Sequence, residues 1–323
     1  MTGSPARRRP VLGGLAWCVA VTLAAVAALR AAGFVRGPVS AAVVGTSPLV
    51  LLLSYPLAAA AAGMRRWRLL AVVAVVLVGQ AVWSWPDLWR TSGAAPQGTV
   101  HVRLVSANML LDNPDVDGFA RAIRQDRPDV LVLQEVTPCN LRRLAATGLL
   151  DALPHHVIDA RPGFDGSAIL SRLPLRSGAT IRVAGRPMTR GDLVLPDGRL
   201  LRVVDVHAAA PVTAAQARVW TRQMTELGRL HAPGDRLVLA GDFNATTAHR
   251  PFGRLASGRL TDAVGAGGPG LHPTWPQRAY LPAVMRLDHV LTGRGLVAGQ
   301  LATEPSPGSD HHKLVVQLTI RGG

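Results

Sequence analysis

Acidic, amide and imidazole residues recur where short apolar runs end. Asn108 follows VRLVSA, Glu135 follows DVLVLQ, and Asp205 and His207 close RVVDVH. Asp242 and Asn244 close RLVLAGDFN, Asp288 and His289 lie in RLDHVL, and Asp310 and His311 lie in SDHHKL. Carboxylates suit hard divalent cations, and imidazoles exchange protons near neutral pH. Phosphoester hydrolysis calls for such a mixture, because phosphoryl oxygens must be neutralised, water activated and the leaving oxygen assisted. Asp242 and Asn244 are two apart on an extended segment and share a face, and Gly241 permits a close backbone approach. Each residue also has a plain alternative. Asp242 and Asn244 fit a turn in which their side chains satisfy backbone amides. Glu135 reads equally as a surface acid, Asn108 as a turn residue, His207 as a satisfied rim histidine, and His311 with His312 as a solvated pair.

The elements that must bring these residues together are short. From Val100 the pattern runs strand, helix over 116–124, then the apolar strand VLVLQ. Further strands are expected at 167–171, 192–195, 200–207, 236–240, 287–292 and 314–320, with a helix over 213–230 whose apolar positions are Ala217, Trp220, Met224 and Leu227. Many strands and few helices point to two packed sheets covered by helices. Strand ends on one edge of such a sandwich can share a cleft.

The first ninety residues are different. Residues 11–29, 39–63 and 69–85 lack charge, Arg65, Arg66 and Arg68 fall between the last two runs, and each run is long enough to cross a bilayer. A cleaved signal peptide also begins with a basic stretch such as Arg7, Arg8 and Arg9. The first apolar run, however, exceeds the usual h-region, and further spans follow. Both Arg clusters fall on one side of the membrane, which the positive-inside rule makes the cytoplasm. Three spans then deliver everything after Trp89 to the outer face, with Trp83, Trp85 and Trp89 at the exit as an interfacial belt would be. The expected organisation is a three-span anchor (1–90), a small polar Pro/Gly-bearing linker (91–99) and a catalytic domain (100–323).

The net charge of +15 is shared between these parts. Nine Arg and one Asp lie in residues 1–96, leaving 26 basic and 19 acidic residues, a net +7, for the remainder. That excess suits a phosphate-bearing substrate or an anionic lipid surface, or is simply a solvated basic surface. The only cysteines, Cys18 and Cys139, lie in different parts, so no disulfide between them is expected.

Taken together, SAN, LQE, VDVH, GDFN, LDHV and SDHH, in this order, resemble the endonuclease/exonuclease/phosphatase superfamily, which includes deoxyribonuclease I-like nucleases, abasic-site endonucleases, inositol polyphosphate phosphatases and bacterial sphingomyelinases. The resemblance implies an α/β fold, a four-layer α/β/β/α sandwich, here preceded by three transmembrane helices. It implies a Mg²⁺-dependent phosphoesterase, with Mn²⁺ as the alternative ion. Glu135 and Asn108 would form the metal site, and Asp310 would be a second-side metal or water ligand. Asp242 would orient or deprotonate the attacking water, and Asn244 would donate a hydrogen bond to the phosphoryl group. His311, held by Asp288, would face a phosphoryl oxygen, and His207 would contact the phosphate. Two departures are visible: Lys313 stands where relatives commonly carry Pro, and Ala208 where Leu is usual. Trp275 reads as a packing residue, and Arg190 as a solvated strand charge.

The chain also resembles the three-span actinobacterial group associated with teicoplanin resistance (VanJ-like). An outward active site tethered close to lipid suggests a lipid-linked phosphate or pyrophosphate of the cell envelope as substrate. An extracytoplasmic nuclease is the alternative. The scarcity of aromatic residues able to stack on bases, with Tyr280 the only Tyr after residue 100, speaks against single-stranded nucleic acid. A non-catalytic binding module would be expected to have lost one of these residues, and none is missing. Oligomeric state is not legible.

Overall fold

The structure is a computed structural model describing residues 8–33, 35–89, 100–268, 270 and 272–321. Arg7 and the expected linker lie outside the described residues, as do the side chains of Arg8, Arg9 and Trp89.

Helices α1 (Arg8–Ala32), α2 (Pro38–Val50), α3 (Ser54–Gly63) and α4 (Trp67–Trp89) come first. Gly13–Ala32, Pro38–Gly63 and Trp67–Trp85 are each long and apolar enough to span a membrane. The second, expected as one unbroken helix, is interrupted by a 3₁₀ turn at Leu51–Leu53. Pro56, with no N–H for the Leu52 carbonyl, falls at this break, and one turn earlier lies Pro48. It has no N–H, so the Val44 carbonyl loses its usual partner and takes the Ser47 hydroxyl instead at 2.6 Å. Gln80 of α4 donates across the bundle to the Pro48 carbonyl at 2.9 Å.

The remaining elements, in order, are β1 (His101–Asn108), α5 (Val116–Asp126), β2 (Val130–Gln134), α6 (Pro138–Ala146), α7 (Leu149–Ala152), β3 (His155–Asp159), β4 (Ser167–Ser171), β5 (Leu175–Val183) and β6 (Arg186–Val194). They continue with β7 (Leu200–His207), α8 (Ala214–Leu227), β8 (Leu237–Asp242), α9 (Arg250–Ala256), β9 (Thr261–Asp262), β10 (Asp288–Thr292), β11 (Leu296–Glu304) and β12 (Lys313–Ile320). Local chemistry sets several boundaries. Asp115 caps α5 by accepting from Gly118 N–H, Arg127 ends it in the left-handed region, and Pro128 follows. Thr213 caps α8 through Gln216 N–H.

Two six-stranded sheets result, ordered β11-β12-β1-β2-β4-β3 and β5-β6-β7-β8-β10-β9. Alternation within the strands builds three apolar layers. Leu104, Val130, Val132, Val203, Val238 and Val316 fill the space between the sheets. On the outer face of the first sheet, Val105, Leu131 and Leu133 meet Phe119 and Ile123 of α5 and Leu144 of α6. On the outer face of the second, Val204 and Leu239 meet Trp220 and Met224 of α8 and Phe252 of α9. Each buried aliphatic or Phe side chain contributes roughly 1.5–3 kcal/mol. The architecture is the expected α/β/β/α sandwich.

One parallel pair lies inside each sheet, β1 with β2 and β7 with β8; all other pairings are antiparallel. Register places Asn108 opposite Gln134, His207 opposite Asp242, and Asp242 opposite Asp288. The finishing ends of the parallel strands and the starting ends of β10 and β12 therefore share one edge of the sandwich.

Candidate active site

At that edge the side chains converge on the carboxylate of Asp242, which is buried. Its Oδ2 lies 3.4 Å from Asn108 Nδ2 and 3.4 Å from Asn244 Nδ2. It is also 3.8 Å from His207 Nε2 and 3.8 Å from His311 Nε2. Glu135 closes the other side: its Oε1 accepts from Asn108 Nδ2 at 3.0 Å and lies 3.9 Å from His207 Nε2. Its Oε2 accepts from Leu111 N–H at 2.9 Å.

Backbone conformations hold these groups in place. Glu135 (φ 59) and Asn244 (φ 47) occupy the left-handed region although neither is glycine. Such strain persists only where the surroundings over-determine it. Gly241 has φ 142, and a Cβ there would strike the Val206 carbonyl, so the strand before Asp242 requires glycine. Asn244 N–H donates to Asp242 Oδ1 at 2.8 Å, and Asn244 Nδ2 donates to the Ala208 carbonyl at 2.9 Å. The turn read as a plain alternative for this pair is thus present, and it is what aims the Asp242 carboxylate.

His311 Nδ1 is 2.8 Å from Asp288 Oδ2. Asp288 is fixed by Thr274, whose hydroxyl accepts from the Leu287 and Asp288 N–H groups at 3.0 and 3.2 Å. His207 Nδ1 is 2.7 Å from the Phe164 carbonyl, so its Nε2 faces the cleft. Beneath the site Asp205 joins the sheets, accepting from Gln134 Nε2 and from Ala168 N–H.

Burial and neighbouring charge act in opposite directions here. Burial raises the Asp242 carboxyl, which His311 lowers and Asp288 raises, to about 6. Burial lowers the His311 imidazolium, but the Asp288 and Asp242 carboxylates outweigh it and push it up to about 10. Burial holds the Asp205 carboxyl well above the usual range, against the hydrogen bonds it accepts from Gln134 and Ala168, which lower it.

The donors suit an oxygen-seeking cation. Ligand atoms of Asp242, Asp288 and His311 lie within 4.8 Å of one another, and Glu135 stands across the cleft. Asp288 Oδ1 is buried with no hydrogen-bond partner among the described residues. The cluster of Asp242, Asp288 and His311 differs from the Glu135, Asn108 and Asp310 set expected from the sequence; with His311 protonated, carboxylate oxygens are the ligands left for a hard divalent cation such as Mg²⁺.

The eight residues to which the resemblance gave site roles lie at this edge. Asp310 sits at its margin: its Oδ2 accepts from Trp275 Nε1 at 3.3 Å, and its carbonyl accepts from Gln277 N–H at 2.6 Å. Trp275 is therefore half-buried and hydrogen-bonded to a site acid rather than packed in the core. Sequence reasoning missed Ser309, whose hydroxyl donates to the Asn108 carbonyl at 2.7 Å and accepts from His311 N–H at 3.0 Å. Its place beside Asp310 in SDHH was the available signal. Nothing local marked Phe164 or Thr274. His289, though adjacent to Asp288, points away to Asp262 and the Ala245 carbonyl.

Solved structures share this arrangement of sheets. An endonuclease/exonuclease/phosphatase from Beutenbergia cavernae DSM 12333 is 20% identical, with TM-score 0.58 over 69% of this chain and 72% of that one. The mannosyl-6-phosphatase of Bacteroides thetaiotaomicron VPI-5482 is 17% identical, with TM-score 0.54 over 67% and 99%. The D. rerio TDP2 complexed with a single-strand DNA product is 18% identical, with TM-score 0.53 over 68% and 98%. No curated protein matches by sequence. The family model described as Endonuclease/Exonuclease/phosphatase family matches residues 105–311, from β1 to His311. With the fold and the acidic edge described above, that match over more than half of its length places the chain in the endonuclease/exonuclease/phosphatase family of phosphoester hydrolases.

Proposed function

We propose that the protein is a membrane-anchored, extracytoplasmic, metal-dependent hydrolase of a lipid-linked phosphate or pyrophosphate. The observation that carries the chemical part is the convergence of Asn108, Glu135, Asn244, His207 and His311 around Asp242. Glu135, with Asn108 beside it and Asp310 on the far side, would hold Mg²⁺, with Mn²⁺ as a substitute. The ion would supply charge neutralisation at the phosphoryl oxygens.

The chain's own residues have distinct tasks in this reading. Asp242 orients the attacking water and takes its proton, a task suited to a carboxylate raised to about 6. His311, kept protonated by Asp288, donates to a phosphoryl oxygen through Nε2. His207 Nε2 approaches from the opposite rim. Asn244 spends one amide hydrogen on Ala208; the other makes only a 3.4 Å contact that a phosphoryl oxygen can replace.

Two contacts support placing this site beside the membrane. His249, five residues beyond Asn244, is 3.1 Å from the Ala41 carbonyl of α2. A Cβ on Gly33, in the turn after α1, would strike Arg250. At the other end of the bundle the Arg66 guanidinium packs against Gly13. The Arg65–Arg68 end is thus the one remote from the hydrolase, which suits a cytoplasmic N-terminus, an extracytoplasmic catalytic domain over residues 100–323 and a multi-pass position in the cell membrane. A role like that of the VanJ-like teicoplanin-resistance group fits this placement. A substrate panel spanning polyprenyl phosphates and pyrophosphates, phospholipids, DNA and RNA tests the reading. Cleavage of nucleic acid alone would transfer the protein to the nuclease alternative.

A further inference from the structure

The loop after Trp275 leaves the site beside Asp310 and returns at Met285, whose N–H donates to the Trp275 carbonyl at 2.9 Å. Its base is fixed, because Gln277 Nε2 donates to the Ser306 and Ser309 carbonyls at 2.7 and 3.1 Å. Its tip is uncovered: Tyr280 is 95% exposed, Leu281 57% and Val284 37%, with Arg278 exposed beside them. Isolated exposed apolar residues are ordinary, but three large ones within five positions form a patch.

The course of the loop says what covers that patch. Val284 and Met285 line a cleft with Pro273, Thr246 and Arg286, and its opposite wall is Gly45 and Pro48 of α2. A Cβ built on Gly45 would lie 3.3 Å from Met285 Sδ. Two independent measures place this turn of α2 at the edge of the hydrocarbon. Counted back from Gly63, a layer of roughly 30 Å occupies about twenty helical residues and ends near Val44. On the same turn Ser47 accepts from Arg30, whose guanidinium lies 4.9 Å from the Trp83 ring centroid. Arg and Trp side chains favour that interfacial level.

We infer that residues 278–285 form a lip seated in the interfacial layer of the bilayer that the protein's own anchor crosses. Tyr280, Leu281 and Val284 enter the ends of the lipid chains, and Arg278 stays among the phosphates. The inference rests on the three helices being spans, as in the reading above. Its consequence is that the Asp310 margin of the site stays against the lipid surface.

The test uses the full chain in liposomes of phosphatidylcholine and phosphatidylglycerol, with Cys18→Ala and Cys139→Ala as background. A single cysteine at Tyr280→Cys, or at Leu281→Cys as a second position, carries an environment-sensitive nitrobenzoxadiazole label. Asp197→Cys, exposed in the β6–β7 turn at the opposite end of the strands, is the reference. Lipids bearing shallow nitroxides should quench positions 280 and 281 several-fold more than position 197, with blue-shifted emission. Equal quenching at all three positions would overturn the inference. Quenching needs no turnover, so an inactive hydrolase would leave this result standing, and an unquenched lip would leave the hydrolase reading standing.

Discussion

Asp288 Oδ2 lies 2.8 Å from His311 Nδ1, while the opposite nitrogen of the same ring faces Asp242 Oδ2 at 3.8 Å. The contact fixes which nitrogen faces the cleft and keeps the imidazole charged. Asp288→Asn should lower kcat on the order of 100-fold while leaving KM for a phosphoester within a few-fold. Steady-state kinetics on the full chain check this, and a change confined to KM would contradict the assigned role.

Asn108 Nδ2 donates to Glu135 Oε1 at 3.0 Å and lies 3.4 Å from Asp242 Oδ2, so it sets the carboxylate that would hold an ion. Asn108→Ala should therefore weaken Mg²⁺ binding by about 10- to 100-fold, measured by titration calorimetry.

Legibility followed periodicity. Alternation marked β1, continuous apolar runs marked strands such as β2 and β8, and polar residues at the strand ends marked the candidate site. Strands β3, β5, β9 and β11 were not anticipated, and β6 only at its end; β5 is an edge strand with exposed residues such as Ser177 and Thr180, and β11 carries Gly299 and Gln300 at a register shift. The contact between Trp275 and Asp310 joins residues 35 positions apart, with β10 and β11 between them, so no local pattern announces it. The docking of His249 on α2 spans 208 positions and was equally silent.

His249 makes that docking pH-dependent. Thr246 N–H donates to its Nδ1 at 2.8 Å, so Nε2 carries the proton directed at Ala41, and a second proton has no place. Burial lowers its pKa from 6.5 to about 4. The unfolded chain then takes up protons first as pH falls. The contribution is complete above pH 6.5 and is lost between 6.5 and 4, by at most about 3 kcal/mol. Thermal melts of the full chain in detergent should show a steeper loss over that window than His249→Gln does.

Sidedness can be read from native thiols. Cys139 is exposed at the start of α6, whereas Cys18 lies within α1. A membrane-impermeant maleimide should label Cys139 on intact cells, and Cys139→Ala should abolish the signal. Labelling only after lysis would place the hydrolase inside.

Metal-dependent phosphoester hydrolysis at Asp242 would show itself in the release of phosphate. Phosphate release by the full chain from polyprenyl phosphate or pyrophosphate in liposomes, with and without Mg²⁺, measures it directly. Release should require the ion and fall by about 10²- to 10⁴-fold in Asp242→Asn. Release unaffected by that substitution, or absent from every lipid-linked substrate with Mg²⁺ present, would contradict it.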